Sequence, residues 1–212
     1  GRSGGGGRGA PGPRPAPDRA PVFLKIAPDL VAGEIGMIVE AALAHRIDGL
    51  IVSNTTLERP ETLSSPQAGE SGGLSGLPLR PFAERALRAA AEAAQGRLPL
   101  IAVGGIDSGA EAYARLRLGA SAVQIYSALV YGGLSLVSEI ARGLDARLAR
   151  DGFVVSPRLA GFIAATRGQA RTRWANAYFT KADGERYVAG DVLQNPAYAR
   201  TVAELAAGGA EV

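Results

Sequence analysis

The chain has 212 residues, of which 47% are hydrophobic, enough for one domain with a sizeable core but short of the roughly 250 residues of a complete (β/α)8 barrel. It contains no cysteine, which excludes disulfides, thiolate metal sites and cysteine nucleophiles. The net charge is +3, and four arginines against one aspartate in residues 1–20 account for all of it, so the rest is balanced and no nucleic-acid partner is predicted.

Residues 1–20, GRSGGGGRGAPGPRPAPDRA, are a low-complexity segment of Gly, Pro and Arg that we predict to be disordered, because this composition buries little apolar surface. A linker without its own function is favoured over an RNA-binding glycine-arginine tail. The sequence lacks the basic and apolar regions of a signal peptide. No apolar run approaches the roughly 20 residues of a transmembrane helix.

From Pro21 onward, short apolar runs alternate with amphipathic stretches, a pattern typical of βα units. Strands are predicted at 21–27, 48–54, 98–105 and 121–127. Helices are predicted at 31–46, about 78–95, 108–118 and about 134–150, and a long polar loop runs from the second strand to about residue 77. Near-continuous apolar strands of this kind belong to a parallel sheet covered on both faces.

Polar residues recur at the C-terminal end of every predicted strand, which is where (β/α)8 barrels place their chemistry. A doubly wound sheet would also fit four units, but it concentrates its site at one switch point. We therefore predict an α/β fold, the C-terminal half of a TIM barrel made of four βα units. A disordered N-terminus and a small helical C-terminal appendage complete the prediction.

Lys25 stands within the first strand, where a charged side chain is costly unless it meets a partner. The chain has 21 arginines and only two lysines, so a lysine here indicates that a compact ammonium is needed. An ammonium would stabilise negative charge on a flavin or on a ligand carboxylate. A lysine that snorkels at a strand end is the alternative interpretation.

Ser53, Asn54 and Thr55 follow the second strand and supply hydroxyl and amide groups that both donate and accept hydrogen bonds. Because the run directly abuts an apolar strand, it favours a ligand with amide and carboxylate edges. A turn or a helix cap is the alternative.

Two glycine pairs and a tyrosine-serine pair indicate a phosphate site. GESGGLSG contains Gly76, where the backbone can approach a ligand closely. Gly105 lies between a strand and a helix N-terminus, an arrangement that leaves N–H groups free for an anion. Tyr126 and Ser127 repeat this placement in the next unit, and barrels build phosphate sites after their last two strands.

His45, the single histidine, stands at the end of a predicted helix, where a solvated residue that favours the helix dipole is expected. The sequence shows no metal-ligand spacing, no Ser/His/Asp set and no Walker loop. We therefore predict no metal site and no catalytic role for His45.

FLKIAPDL, VSNTT, SGGLSG, RLPLIAVGGIDSG and GASAVQIYSALVYGG, in this order, resemble the C-terminal half of class 2, quinone-dependent dihydroorotate dehydrogenases. The resemblance covers about Pro21 to Gly152. It implies that dihydroorotate is oxidised to orotate in pyrimidine synthesis, with FMN as cofactor and quinone as acceptor. It further implies FMN contacts from Lys25, Ser53, Gly76, Gly105, Tyr126 and Ser127, and orotate contacts from Asn54 and Thr55. Ser53 stands where many members have threonine.

The same resemblance implies that the catalytic serine base belongs to the family's N-terminal half, which has no counterpart in this sequence, so no catalytic residue is predicted. Without a base, proton abstraction lacks a factor of roughly 10²–10⁴, and we expect weak or absent catalysis. The family is cytoplasmic and peripheral to the inner membrane, and this location is the expectation here.

Beyond about Phe153 the chain continues past the end of the dehydrogenase resemblance. WANAYFTKADGERYVAGDVLQNPAYARTVAELAAGGAEV is similar to an internal stretch of γ-glutamyltransferases but carries none of their catalytic threonine or glycine motifs. Asp191 to Pro196 predicts an extended turn, and Ala197 to Ala207 an amphipathic helix. The predicted division is a segment 1–20, an FMN-binding half-barrel 21–152 and an appended helical segment 153–212.

Several alternatives remain open at this point. The chain is a fragment or chimera in the favoured interpretation, and a noncatalytic half-barrel that needs a complementary chain in the second. A γ-glutamyltransferase-related fragment and another FMN barrel oxidoreductase are further alternatives. The γ-glutamyltransferase alternative is disfavoured because the sequence lacks the catalytic nucleophile. Another FMN barrel oxidoreductase is disfavoured because the asparagine-threonine run together with SGGLSG indicates a pyrimidine substrate.

Overall fold

The fold was determined as a computed structural model that describes residues 20–155, 157–165, 177–197 and 199–200. Its main sheet has four parallel strands in the order β1-β2-β3-β4. These are β1 Phe23–Ile26, β2 Gly49–Val52, β3 Leu100–Val103 and β4 Ala122–Gln124. The predicted α/β class is confirmed, with shorter strands than expected because the chain leaves the sheet where the polar loops begin.

The helices that alternate with these strands are α1 Ala32–Ala44, α2 Arg80–Ala94, α3 Gly109–Arg117, α4 Ser127–Gly132 and α5 Ser135–Asp151. A 3-10 turn, Leu77–Leu79, leads into α2. Ser108 caps α3, as predicted, because its side-chain oxygen accepts the N–H of Glu111. The short helix α4 is not predicted by the sequence, and it starts at the last residue of the span 121–127 that the apolar pattern assigns to the fourth strand.

The main core lies between the sheet and the helices that cover it. Leu50, Val52, Leu100 and Ala102 of the central strands are at most 2% exposed. Their partners from the helices and loops are Ile35, Val39, Ala42, Ala86, Leu87, Ala90, Ala94, Ile106, Ala112 and Ile140. The central strands are therefore covered as the apolar runs in the sequence indicate.

The two outer strands of the sheet are open. Within the described ranges, β1 pairs only with β2, and β4 pairs only with β3. Phe23 and Leu24 of β1 are each 41% exposed, although both are large and apolar. A half-barrel has this property, because a closed barrel would cover both edges.

The C-terminal segment contributes a second, smaller sheet. Strand β5, Phe153–Val154, pairs antiparallel with β6, Val192–Leu193, and helix α6 spans Pro157–Ala165. The predicted turn from Asp191 to Pro196 is thus partly wrong, because two of its residues, Val192 and Leu193, form the strand that pairs with β5. Of the predicted helix from Ala197 to Ala207, residues 197, 199 and 200 are helical, and the rest lies outside the described residues.

The predicted disorder of residues 1–20 falls almost entirely outside the described ranges. None of the helices within those ranges combines the length and the apolar character that crossing a membrane requires.

Candidate functional site

A cleft of about 830 Å³ opens at the carboxyl ends of the four parallel strands. All eight residues predicted to contact a cofactor or substrate line it: Lys25, Ser53, Asn54, Thr55, Gly76, Gly105, Tyr126 and Ser127. They come from positions up to 102 residues apart, and the parallel sheet brings them together because the carboxyl ends of its strands share one side.

Lys25 lies on the open edge strand β1, opposite Ile51 of β2 in the ladder. Its side chain is exposed, so the cost of an unpartnered buried charge does not arise. The reason is that β1 has a neighbour on one side only. No described residue forms an ion pair with Lys25, and its ammonium therefore supplies positive charge to the cleft.

Ser53, Asn54 and Thr55 continue directly from β2. Ser53 is 1% exposed, and its N–H donates to Val103 of β3 at 3.0 Å. The N–H of Asn54 donates to Ile26 of β1 at 2.8 Å. The side-chain oxygen of Asn54 accepts the N–H of Thr55 at 3.0 Å, so the orientation of this amide is fixed while its NH2 group stays available.

The glycine-rich loop is joined to this run. The backbones of Thr56 and Leu74 exchange two hydrogen bonds of 3.2 and 2.8 Å. A Cβ on Gly73 would lie 1.9 Å from Oγ1 of Thr55, so the glycine is required by contact with Thr55 rather than by a ligand. The two loops form one wall of the cleft.

Polar groups outside the cleft anchor the same wall. Thr56 is fully buried and donates its hydroxyl to Asp29, which also accepts the N–H of Leu57 at 3.2 Å. Arg59 donates to the carbonyl oxygens of Glu70 and Gly72 at 2.8 and 2.7 Å. The long loop is therefore held in one conformation by side chains that lie outside the cleft.

Gly104 and Gly105 form the turn after β3, with φ angles of +113° and +70°. A Cβ on Gly105 would lie 2.8 Å from the Cα of Arg80, at the start of α2. Arg80 donates to the carbonyl oxygen of Gly105 at 2.8 Å and pairs with Asp107 at 2.6 Å. Only glycine meets both the dihedral and the steric requirement at this turn.

Tyr126 and Ser127 lie past the end of β4, where Tyr126 precedes helix α4 and Ser127 begins it. The assignment of both to the strand is wrong, because the ladder ends at Gln124. Their place beside Gly76 and Gly105 in the cleft agrees with the prediction. The Ser127 hydroxyl donates to Ser75 at 2.9 Å, which connects α4 to the glycine-rich loop.

Several backbone N–H groups of the cleft have no acceptor among the described residues, and those of Gly105, Tyr126 and Ser127 are among them. Unpaired N–H groups that converge on a concave surface bind anions. The remaining lining is largely apolar and includes Leu74, Val103, Ile106, Tyr131 and Leu136. The cleft thus combines an apolar lining with unpaired N–H groups that suit an anion.

Sequence reasoning missed these apolar lining residues and the arginines that hold the loops. Leu74 and Leu77 stand inside or next to the glycine-rich motif, and their proximity to it was the available signal. Arg59 and Arg80 carried no motif, because an arginine that binds carbonyl oxygens of nearby loops has no fixed spacing. Among the described residues, no cluster of three or more His, Asp or Glu side chains could hold a metal.

Comparison with protein families gives two matches. The family model described as Dihydroorotate dehydrogenase matches residues 14–148. The model described as Gamma-glutamyltranspeptidase matches residues 131–212, so both include most of α5.

Curated relatives named dihydroorotate dehydrogenase (quinone) match the first of these regions. The protein of Cereibacter sphaeroides is 52% identical over 154 residues, which are 73% of this chain and 41% of that protein. The protein of Parvibaculum lavamentivorans is 56% identical over 135 residues, 64% of this chain and 39% of that protein. The chain therefore spans about two fifths of the length of these relatives.

Solved structures agree. The ligand-free DHODH of Eimeria tenella is 42% identical, with a TM-score of 0.60 over 61% of this chain and 36% of that one. Its complex with ferulenol superimposes with the same TM-score. None of these comparisons supports the complementary half-barrel chain of the second interpretation.

Proposed function

The chain belongs to the dihydroorotate dehydrogenase family through residues 14–148, and we propose that its cleft binds FMN and the pyrimidine substrate of a quinone-dependent enzyme. One observation carries this proposal: the eight residues predicted from the resemblance line a single cleft at the carboxyl ends of the strands. The whole activity in this proposal is the oxidation of dihydroorotate to orotate with quinone as acceptor.

The cleft fits FMN in size and in chemistry. Its volume of about 830 Å³ lies within the roughly 300–1,000 Å³ of small-molecule sites. The apolar lining suits a flat ring system. The unpaired N–H groups of Gly105, Tyr126 and Ser127 suit a phosphate.

In this proposal each residue has a defined role. Gly105, Tyr126 and Ser127 hold the phosphate, and Gly76 lets the backbone approach the ligand. Lys25 would supply positive charge to the flavin, and Ser53 would help to hold it. FMN would supply the hydride acceptor. Asn54 and Thr55 bind the substrate through amide and hydroxyl hydrogen bonds.

The described residues provide no general base in this assignment. Proton abstraction without a positioned base loses a factor of about 10²–10⁴, so we expect little turnover from residues 1–212 alone. Binding of cofactor and substrate is the function proposed for these residues. A location in the cytoplasm, peripheral to the inner membrane, remains part of the proposal.

The proposed organisation has three segments, 1–20, a half-barrel at 21–152 and an appendage at 153–212. Two separate buried clusters support the second boundary: one contains Leu50 and Leu100, and the other contains Val155, Ile163 and Leu193. The open edges of β1 and β4 support pairing with further strands, from the same polypeptide or from another.

Titration of the purified chain with FMN, followed by quenching of flavin fluorescence, tests the proposal. The chain has two lysines, which provide a matched pair of variants. Lys25→Met is expected to weaken FMN binding by about tenfold, on the order of one charged hydrogen bond. Lys181 pairs with Asp191 in the C-terminal segment and does not line the cleft. Lys181→Met is therefore expected to leave the FMN affinity unchanged.

Absence of FMN binding by the unaltered chain, or equal binding by both lysine variants, would contradict the proposal. Asn54→Ala is expected to weaken orotate binding in the FMN-loaded protein without changing the flavin affinity. Dihydroorotate-dependent reduction of a dye measures turnover, which should be at or near background.

A further inference from the structure

Arg115 is a buried charge that the proposed function leaves unexplained. This α3 side chain is 1% exposed. Its Nη2 lies 2.7 Å from Glu111 and donates to the backbone oxygen of Arg80 at 3.3 Å. Its Nε and Nη1 have no hydrogen-bond partner among the described residues. Burial without full pairing is costly, and this desolvation lowers the pKa of Arg115.

Arg115 is connected to the cleft through two further side chains. Glu111 lies between the two arginines, 2.7 Å from Arg115 and 3.7 Å from Nε of Arg80. Arg80 in turn donates to the carbonyl oxygen of Gly105 at 2.8 Å. We call Arg80, Asp107, Glu111 and Arg115 the α2–α3 ion-pair network.

The Gly105 turn depends on the position of Arg80. The Cα of Gly105 packs so closely on Arg80 that a Cβ there would lie 2.8 Å from the Arg80 Cα and 3.0 Å from its nitrogen. A small displacement of the start of α2 would therefore move the turn and its free N–H. Arg115 donates to the backbone oxygen of Arg80 itself, so it acts on this start directly.

We propose that Arg115 is a positioning residue, which fixes the Gly105 turn through Glu111 and Arg80 and so orients the N–H that receives the anionic end of the ligand. The nature of this ligand, a phosphate, rests on the proposed function. The effect on the turn does not.

Stability alone does not account for Arg115. Replacement of a buried ion pair by well-packed apolar side chains is often neutral or stabilising. Methionine is close to arginine in length and adapts to irregular space. A purely structural role therefore predicts that Arg115→Met leaves the Gly105 turn unchanged, whereas a positioning role predicts a local effect at residues 104–107.

The orientations of the backbone N–H groups of residues 104–107, measured without flavin as residual dipolar couplings by NMR, are the first readout. We expect Arg115→Met to change these couplings while those of β2 stay as in the unaltered chain. FMN affinity is the second readout, with an expected loss of about tenfold, a size typical for partners that orient a ligand-binding group. Arg117→Met is the matched control, since Arg117 is an exposed arginine of the same helix.

A double-mutant cycle tests the connection. If Arg115 acts through Glu111 and the Arg80 side chain, Arg80→Met and the double variant should show the same couplings at residues 104–107. Additive effects would overturn this side-chain connection, and unchanged couplings in Arg115→Met would overturn the proposal.

If Arg115→Met does not fold, Glu111→Gln decides instead, because it keeps the side-chain volume and removes the charge between the arginines. Unchanged couplings at residues 104–107 in that variant would also overturn the proposal. Failure of the unaltered chain to bind FMN would contradict the proposed function alone, since the coupling measurement needs no flavin.

Discussion

The half-barrel and the C-terminal segment are held together in different ways. In the half-barrel, Leu50 and Leu100 lie at the centre of a continuous core beneath the helices. In the C-terminal segment, Val155, Ile163 and Leu193 form a small cluster beside a two-stranded pairing. Because apolar burial is the main source of stability, the first region should fold as a unit and the second should open more easily.

The two regions also differ in chemistry. Every residue that lines the cleft belongs to the half-barrel, between Lys25 and Leu136. The C-terminal segment contacts the end of α5, where the N–H of Asn195 donates to Ala149 at 2.6 Å and the Gln194 amide donates to Asp151 at 3.2 Å. This difference indicates that ligand binding depends on the first region and tolerates change in the second.

Leu50→Ala should have the largest effect, because Leu50 is fully buried in a central strand. A cavity at such a site costs about 2–5 kcal/mol, which should lower the urea midpoint of the main transition. Leu57→Ala is the control, since Leu57 is 76% exposed and should change stability by less than about 0.5 kcal/mol. Equal stability of the two variants would disprove the assigned core.

Gly105→Ala should come next and should affect both stability and the cleft. A Cβ there would overlap Arg80 and would force a side chain into a φ of +70°, for a cost of about 1–3 kcal/mol. Loss of FMN binding should accompany it, as measured by fluorescence titration.

Gly96→Ala separates the cost of a positive φ from the cost of steric overlap, the two causes expected to act in Gly105→Ala. Gly96 has a φ of +73°, but a methyl group added there would have nothing within 4 Å, so only the dihedral cost of about 1 kcal/mol applies. FMN affinity should be unchanged in this variant. A similar loss of FMN binding in both glycine variants would refute a local role of the Gly105 turn.

Leu193→Ala should have a smaller effect on the main transition although Leu193 is 1% exposed. The cavity falls in the small cluster, so the C-terminal segment should open while the half-barrel transition moves by less than about 0.5 kcal/mol. Limited proteolysis should cut the segment after Gly152 faster, with FMN binding retained. A matching loss in the main transition would show that the two regions fold as one unit.

The sequence predicts the half-barrel better than the C-terminal segment for a physical reason. Its strands are apolar runs with polar ends, so the hydrophobic period, the segment length and the residues at the segment ends all indicate the same βα unit. β6 has two residues, and its pairing with Phe153–Val154 depends on contacts between positions 38 and 40 residues apart. No local pattern specifies such a pairing, which is why the sequence predicts a turn at Asp191 to Pro196.

In the candidate site too, some residues have local sequence signals and others depend on contacts that only the fold creates. Gly105, Tyr126 and Ser127 carry local signals, because each comes at or just past the end of an apolar run that the sequence assigns to a strand. The exposure of Lys25 could not be predicted, since it depends on which strand lies at the edge. Arg80 and Arg115 of the α2–α3 ion-pair network gave no signal either, because they lie on different helices and only the fold brings them together.

The smallest expected effect concerns pH and is confined to the C-terminal segment. Asp191 accepts the N–H of Val188 at 2.8 Å and pairs with Lys181 at 3.3 Å. The backbone hydrogen bond, with the Lys181 contact adding to it, lowers the pKa of Asp191 below its ordinary value. Since the folded pKa is depressed, the stabilisation is complete above the unfolded value of about 3.9 and is lost as the pH falls through the folded one.

The amide resonance of Val188 reports this titration directly, because its N–H donates to the Asp191 carboxylate. We expect its midpoint below about 3.9 in the unaltered chain, and no such titration in Asp191→Asn. Resonances of Leu50 and Val52 should not follow the same midpoint, since the half-barrel core lies apart from this ion pair. A shared midpoint would instead mean that protonation at Asp191 loosens both regions, which the separate clusters argue against.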